Sequence, residues 1–123
     1  MANVSKKRWS DIKLEELSTT ISRRFIYGER VMIAEVQLKK GSIVPEHSHE
    51  NEQVTWITKG ELLFEIGGKE IHVREGEVLV IPSNTPHKAT ALEDTVDMDI
   101  FNPPRKDWIE GDDQYLRGMS GKL

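Results

Sequence analysis

Along the 123-residue chain, apolar positions recur in short runs at a spacing of two, and no stretch keeps a helical period for long. Ile21 to Leu38 reads as two strands with Gly28-Glu29 as the turn between them. Gln53 to Thr58 is a third, rich in β-branched and aromatic residues and ended by Lys59-Gly60. Glu61-Leu62-Leu63-Phe64-Glu65-Ile66, Gly67-Gly68 and Lys69-Glu70-Ile71-His72-Val73 predict a hairpin around a two-glycine turn. Val78 to Ile81 is wholly apolar and predicts a strand buried on both faces. Pro82-Ser83-Asn84-Thr85-Pro86 then turns the chain, and strands follow at His87–Ala91 and Thr95–Phe101. Residues 9–20 are a lead-in carrying Trp9, Ile12, Leu14 and Leu17, compatible with one helical turn or an edge strand. Pro103-Pro104 ends strand pairing, leaving a charged tail with Trp108, Ile109, Tyr115 and Leu116 as its anchors. About eight short strands at even spacing predict an all-β sandwich or barrel in one domain, with its core over about residues 21–101.

Composition narrows the chemistry. There are no cysteines, so thiolate metal sites, iron–sulfur clusters, disulfides and a cysteine nucleophile are excluded. Their absence also fits a reducing, cytoplasmic setting. No run approaches the length of a membrane span, and Lys6-Lys7-Arg8 has no apolar stretch behind it to make a secretory signal. A net charge of −4 argues against nucleic acid as partner, with Lys6-Lys7-Arg8 and Arg23-Arg24 read as solvated clusters.

Two of the four histidines lie two residues apart, in Gly41-Ser42-Ile43-Val44-Pro45-Glu46-His47-Ser48-His49. On an extended strand His47 and His49 would project side by side. A third, His87, follows a second segment that runs from glycine to proline, Gly76 to Pro82. Three imidazoles with a nearby amide or carboxylate suit a first-row transition metal. The fourth histidine, His72, lies outside both segments and reads as an ordinary hairpin residue. The segments resemble the paired motifs of the cupin superfamily. Gly41, His47, His49, Gln53 and Gly60 fall in the frame of the first, with Gln53 where that family usually has glutamate; Gly76, Pro82 and His87 fall in the second. Asn84 stands for a glycine of that second motif and Ala91 for its final asparagine, and asparagine tolerates the positive φ the turn would need. The resemblance implies a jelly-roll β-barrel (a double-stranded β-helix) with short irregular terminal segments. It also implies one divalent ion, manganese, iron, nickel, copper or zinc, held by His47, His49, Gln53 and His87. Gln53 is preferred to Glu52 because only one of two strand neighbours faces inward, and Gln53 has the spacing to His49 and Gly60. Four neutral ligands would leave the ion near its full charge, favouring Lewis-acid chemistry on an anionic oxygen.

Asp97-Met98-Asp99-Ile100-Phe101 divides by period two into Asp97, Asp99 and Phe101 on one face and Val96, Met98 and Ile100 on the other. Composition alone would bury the apolar set. With the Pro103-Pro104-Arg105-Lys106-Asp107-Trp108 run that follows, the segment resembles the pectin-degradation cupins called KdgF, which convert 4,5-unsaturated uronates to linear keto sugars. That resemblance, from about Trp9 to Tyr115, instead turns the aspartates inward. It assigns proton transfer to Asp99, packing against sugar to Phe101, and carboxylate binding and catalysis to Arg105; for Arg105 a surface ion pair with Asp107 is the plain alternative. With the aspartates inside, Val96, Met98 and Ile100 face out and call for a second copy, so a homodimer is expected. A quercetin-type dioxygenase, and a non-catalytic module binding a sugar or small acid, are the competing functions.

Overall fold

The computed structural model describes residues 3–117. A 3-10 turn at Trp9–Asp11 precedes ten strands: β1 (Glu15–Glu16), β2 (Ile21–Tyr27), β3 (Met32–Leu38), β4 (Ile43–His47), β5 (Glu52–Lys59), β6 (Glu61–Ile66), β7 (Lys69–Arg74), β8 (Val78–Ile81), β9 (His87–Ala91) and β10 (Thr95–Asn102). The lead-in therefore holds both of the elements its sequence allowed. The strands form two antiparallel sheets, ordered β1-β2-β3-β10-β5-β8 and β4-β9-β6-β7. This is the single-domain jelly roll expected of the sequence.

Alternation builds the core. Met32, Ala34, Val36 and Leu38 of β3 are all buried, as are Ile57 of β5, Leu62 and Phe64 of β6, and Ala89 and Ala91 of β9. Each large side chain in that set contributes roughly 1.5–3 kcal/mol by leaving water. Gly60, between β5 and β6, shows why the first motif closes on glycine. Its φ is +88°, and a β-carbon there would lie 2.8 Å from the Thr95 Cα and 2.5 Å from Thr95 Oγ1. Only a residue without a side chain lets the chain pass between sheets so close to β10.

Four expectations need correction. β8 is not buried on both faces: it is the edge of the larger sheet, so Ile81 is covered while Val78 and Val80 are 64% and 57% exposed. Arg23 is not solvated. It is fully buried, ion-paired to the equally buried Asp113 at 2.5 Å, with its guanidinium 4.6 Å from the Trp108 ring centre. Ile109 is exposed, so the tail is anchored by Trp108 and Leu116 without it. Nor is that tail irregular throughout. The chain turns at a cis Asn102–Pro103 bond into two single-turn helices, α1 (Lys106–Ile109) and α2 (Gln114–Arg117), whose Trp108, Tyr115 and Leu116 border the interior cavity.

Candidate metal centre

His47 ends β4, whose pairing with β9 shifts register between Val44 and His47. His49 stands beyond the strand, in the loop to β5, so the two do not share one extended segment. They converge all the same, because that loop is fixed at both sides. The His49 carbonyl accepts from the Asn84 N–H at 2.7 Å, joining the two motif loops. Asn51, itself buried, donates its amide to the Pro103 and Pro104 carbonyls. Asn84 has φ +59°, the left-handed conformation that the sequence allowed it. His87 opens β9 opposite His47.

The donor atoms of His47, His49 and His87 all lie within 4.8 Å of one another. In each ring Nδ1 is occupied by a backbone carbonyl: that of Pro45 for His47 (2.9 Å), Asn51 for His49 (3.0 Å) and Thr85 for His87 (2.8 Å). Burial holds the ordinary imidazole pKa down, to about 4 for His47 and about 4 for His49, and lowers that of His87. Near neutrality each ring is uncharged, its one N–H donates to a carbonyl, and Nε2 carries a free lone pair.

Gln53 is buried on β5 and Glu52 faces out. The Gln53 amide nitrogen donates to Thr55 Oγ1 at 2.8 Å and approaches Asp99 Oδ1 at 3.5 Å, which turns its oxygen toward His49 Nε2 at 3.1 Å. With His49 Nδ1 already the donor, that contact sets two lone pairs face to face. A cation between them resolves the conflict, and 3.1 Å is close to the span of two adjacent ligands each about 2.1 Å from a metal. The residues therefore fit a divalent ion held by three imidazoles and one amide. His72 stays apart, exposed on β7 and bonded to Glu61 at 2.6 Å.

Behind the histidines lies a cavity of about 40 Å³, bordered by His47, Gln53, His87, Asp97, Asp99 and Arg105. It has room for about one or two waters or a single carboxylate. Asp97, Asp99 and Phe101 are all buried, pairing across β10 with Val36, Ala34 and Met32 of β3. The inward orientation is the one found. Burial pushes both carboxyl pKa values above the usual range, Asp97 furthest, since its neighbour Asp99 adds to the penalty. Asp99 accepts from Thr55 Oγ1 at 2.7 Å, whereas Asp97 Oδ1 has no hydrogen-bond partner. Two adjacent buried carboxyls of this kind resist losing both protons, because the second charge would be buried beside the first.

Arg105 is 2% exposed. It does pair with Asp107, through Nε at 2.9 Å and Nη2 at 2.7 Å, but the pair is no surface bridge. The guanidinium lies 5.0 Å from the Phe101 ring centre and 4.7 Å from that of Trp108, and Nη2 also donates to the Tyr115 hydroxyl at 2.6 Å. Burial works against the charge, but the bonds to Asp107 outweigh it, so Arg105 stays a cation. Phe101 meets His49 edge to face at 5.7 Å. Of the seven residues singled out in the sequence, His47, Gln53, His87, Asp99, Phe101 and Arg105 border this one cavity, and His49 joins them through the histidine cluster at its edge. The structure adds three that the sequence presented only as a strand neighbour or tail anchors: Asp97, Trp108 and Tyr115. The Tyr115 ring stacks on His47 with centroids 4.5 Å apart.

Comparison with known proteins agrees with this architecture. The chain is 28% identical over 86 residues to an oxalate-binding protein of Thermotoga maritima, 69% of each chain. The solved structure of KdgF from a Halomonas species superposes with a TM-score of 0.80 at 26% identity, over 86% of this chain and 99% of that one. A Bacillus subtilis oxalate decarboxylase studied for its Mn(II) centres aligns with a TM-score of 0.69 at 21% identity, over 86% of this chain and 31% of its own. The family model for the cupin domain matches residues 34–102, more than half of the chain and most of its strands. Two antiparallel sheets closing on a histidine triad, and a family match across the strands that build them, make this protein a member of the cupin domain family.

Proposed function

We propose that the protein is a metal-dependent enzyme that opens 4,5-unsaturated uronate monosaccharides, products of pectin or alginate lyases, to linear keto-uronates. One observation supports it above the others: a buried carboxyl, Asp99, meets the Gln53 amide, which lies beside the histidine cluster, and the cation Arg105 at one small cavity. The reaction is an isomerisation. The bond from the anomeric carbon to the ring oxygen breaks as the anomeric hydroxyl loses its proton, and the ring oxygen takes one up as an enol. That enol then surrenders its proton while carbon 4 gains one, giving the ketone with no net change in atoms.

When bound, a divalent ion supplies Lewis acidity toward a substrate oxygen. Arg105 neutralises the uronate carboxylate, its planar fork being matched to such a group. Asp99, whose pKa burial raises above the ordinary carboxylate range, both delivers and accepts the moving proton. Phe101 walls the cavity on the carbon side and excludes water. Loss of the ultraviolet absorbance of an unsaturated monouronate, abolished by chelator and by Asp99→Ala, tests the reading; an unchanged rate in that variant refutes the role of Asp99.

The likeness to an oxalate-binding protein supports a second reading, in which the same cation and Arg105 hold a small acid without turnover. Saturable binding of oxalate or a uronate with no change in the ligand would favour it. Oxygen uptake in the iron- or copper-loaded protein would instead favour a dioxygenase. We further propose that the larger sheet's outer face pairs two copies of the chain. Ile26, Ile33, Ile100, Val54 and Val80 stand in register across five strands of that face, with Met98, Trp56 and Val78 in the next row but one. Trp56 is 47% exposed there, and a continuous apolar surface of this kind marks an interface.

A further inference from the structure

We propose that Tyr115 is a substrate-binding residue, its hydroxyl donating a hydrogen bond to a carboxylate oxygen of the ligand beside the free end of Arg105. The inference rests on the small-acid ligand of the reading above and not on its turnover.

A phenol oxygen has two lone pairs and one hydrogen. Arg105 Nη2 donates to it at 2.6 Å and Trp108 Nε1 at 2.8 Å. Neither a guanidinium nor an indole can accept, so both lone pairs are in use and the hydroxyl hydrogen must go elsewhere. Among the described residues no acceptor is bonded to it. Arg105 is in the same condition. Nε and Nη2 are engaged by Asp107 and Tyr115, while Nη1 has no hydrogen-bond partner among the described residues. Two unspent donors, one on a buried cation, therefore border the cavity that holds His47 and Asp99. A carboxylate supplies what they lack: negative charge and two acceptor oxygens in one plane.

The placement of Tyr115 is not left to its own contacts. Asp113, two residues earlier, is fully buried and bonded to Arg23 at 2.5 Å and to Arg117 at 2.6 Å, and Leu116, one residue later, is in the core. Arg23 and Asp113 act here as positioning residues, pinning α2 so that the Tyr115 ring lies on His47 with the planes 28° apart.

The test uses the Mn(II)-loaded full chain with galacturonate and its methyl ester, a pair differing in the carboxylate charge. Tyr115→Phe keeps the ring and its stacking and removes only the hydroxyl. Calorimetry should show galacturonate binding weakened about 10- to 100-fold, the usual cost of a lost bond to a charged group, with ester binding changed less than about twofold. Binding of the acid to the wild type should also perturb the tyrosine near-ultraviolet absorbance. The chain has two tyrosines, so the signal should persist in Tyr27→Phe and vanish in Tyr115→Phe. A difference signal assigned to Tyr115 supports the proposal even if the phenylalanine variant folds poorly. Unchanged affinity in Tyr115→Phe, equal losses for acid and ester, no tyrosine signal in the wild type, or no binding of either compound would each overturn it. If the acid binds through Tyr115 while unsaturated uronates are not converted, the binding role stands and the proposed reaction falls.

Discussion

The two faces of β10 are inverted relative to a soluble sheet strand. Its inward face carries Asp97 and Asp99, both buried, and its outward face carries Val96, Met98 and Ile100, the last 37% exposed. Burying two carboxyls costs stability, and exposing an apolar row gains none. The inward polarity is explained if the barrel interior is a reaction chamber, where raised carboxyl pKa values and a caged cation are useful. The outward apolarity is explained if a second copy covers it. On the proposed function and interface, the same strand would face a small molecule on one side and a second copy on the other, and changes on one face should leave the other untouched.

The sharpest break comes on the inner face. Asp99→Ala should lower turnover of unsaturated uronate about 10²- to 10⁴-fold, the range for a lost general acid–base group, with sedimentation unchanged. Next comes the outer face. Met98→Lys, or Ile100→Lys in the adjoining apolar row, should shift the dimer toward monomer by more than about 100-fold in dissociation constant, because an unpaired charge would be trapped in the contact. Analytical ultracentrifugation reads that shift, and a wild-type protein already monomeric would remove the proposed interface.

Metal removal sharpens the comparison through stability. Chelation should lower the thermal midpoint by several degrees, as expected for loss of a ligand that binds only the folded chain. In the metal-free protein the histidines give the effect a pH signature. Their pKa values are about 4 for His47 and His49, below the ordinary 6.5. Between those values the unfolded chain binds more protons than the folded one, so stability rises with pH across that window and is lost as pH falls from about 6.5 toward 4. A midpoint flat over that range would contradict neutral, buried imidazoles.

The smallest effect is also on the inner face. Asp97 has a raised pKa, so the folded state holds its proton more tightly than the unfolded state does. Its contribution is favourable at low pH and is lost as pH rises from the ordinary carboxylate range through the raised value. Asp97→Asn removes that penalty and should stabilise the protein at pH 8 by about 1–2 kcal/mol, less at pH 5, as measured by denaturant unfolding. Destabilisation at pH 8 would mean that the charge has a partner.

The two-glycine turn marked the hairpin of β6 and β7, β-branched and aromatic residues marked β5, and alternation allowed only one of Glu52 and Gln53 inside, the family spacing then choosing Gln53. Spacing and the family resemblance carried the histidines, even though His49 proved to lie in a loop. The errors share one cause. The burial assigned to Val78 and Val80 required knowing that β8 is an edge, and the solvation assigned to Arg23 required knowing that Asp113, ninety residues later, packs against it. Composition alone would have oriented β10 the wrong way, burying Val96, Met98 and Ile100 in place of the aspartates that the structure turns inward. What the sequence determined by itself was local: which segments extend, where they turn, and which donors fall at metal-binding intervals. The burial of Arg23, the edge position of β8, and the meeting of Tyr115 with His47 and Arg105 were decided only by the tertiary structure. Each depends on residues far apart in the chain being brought to the same few ångströms, and alternation along a strand carries no information about its neighbours.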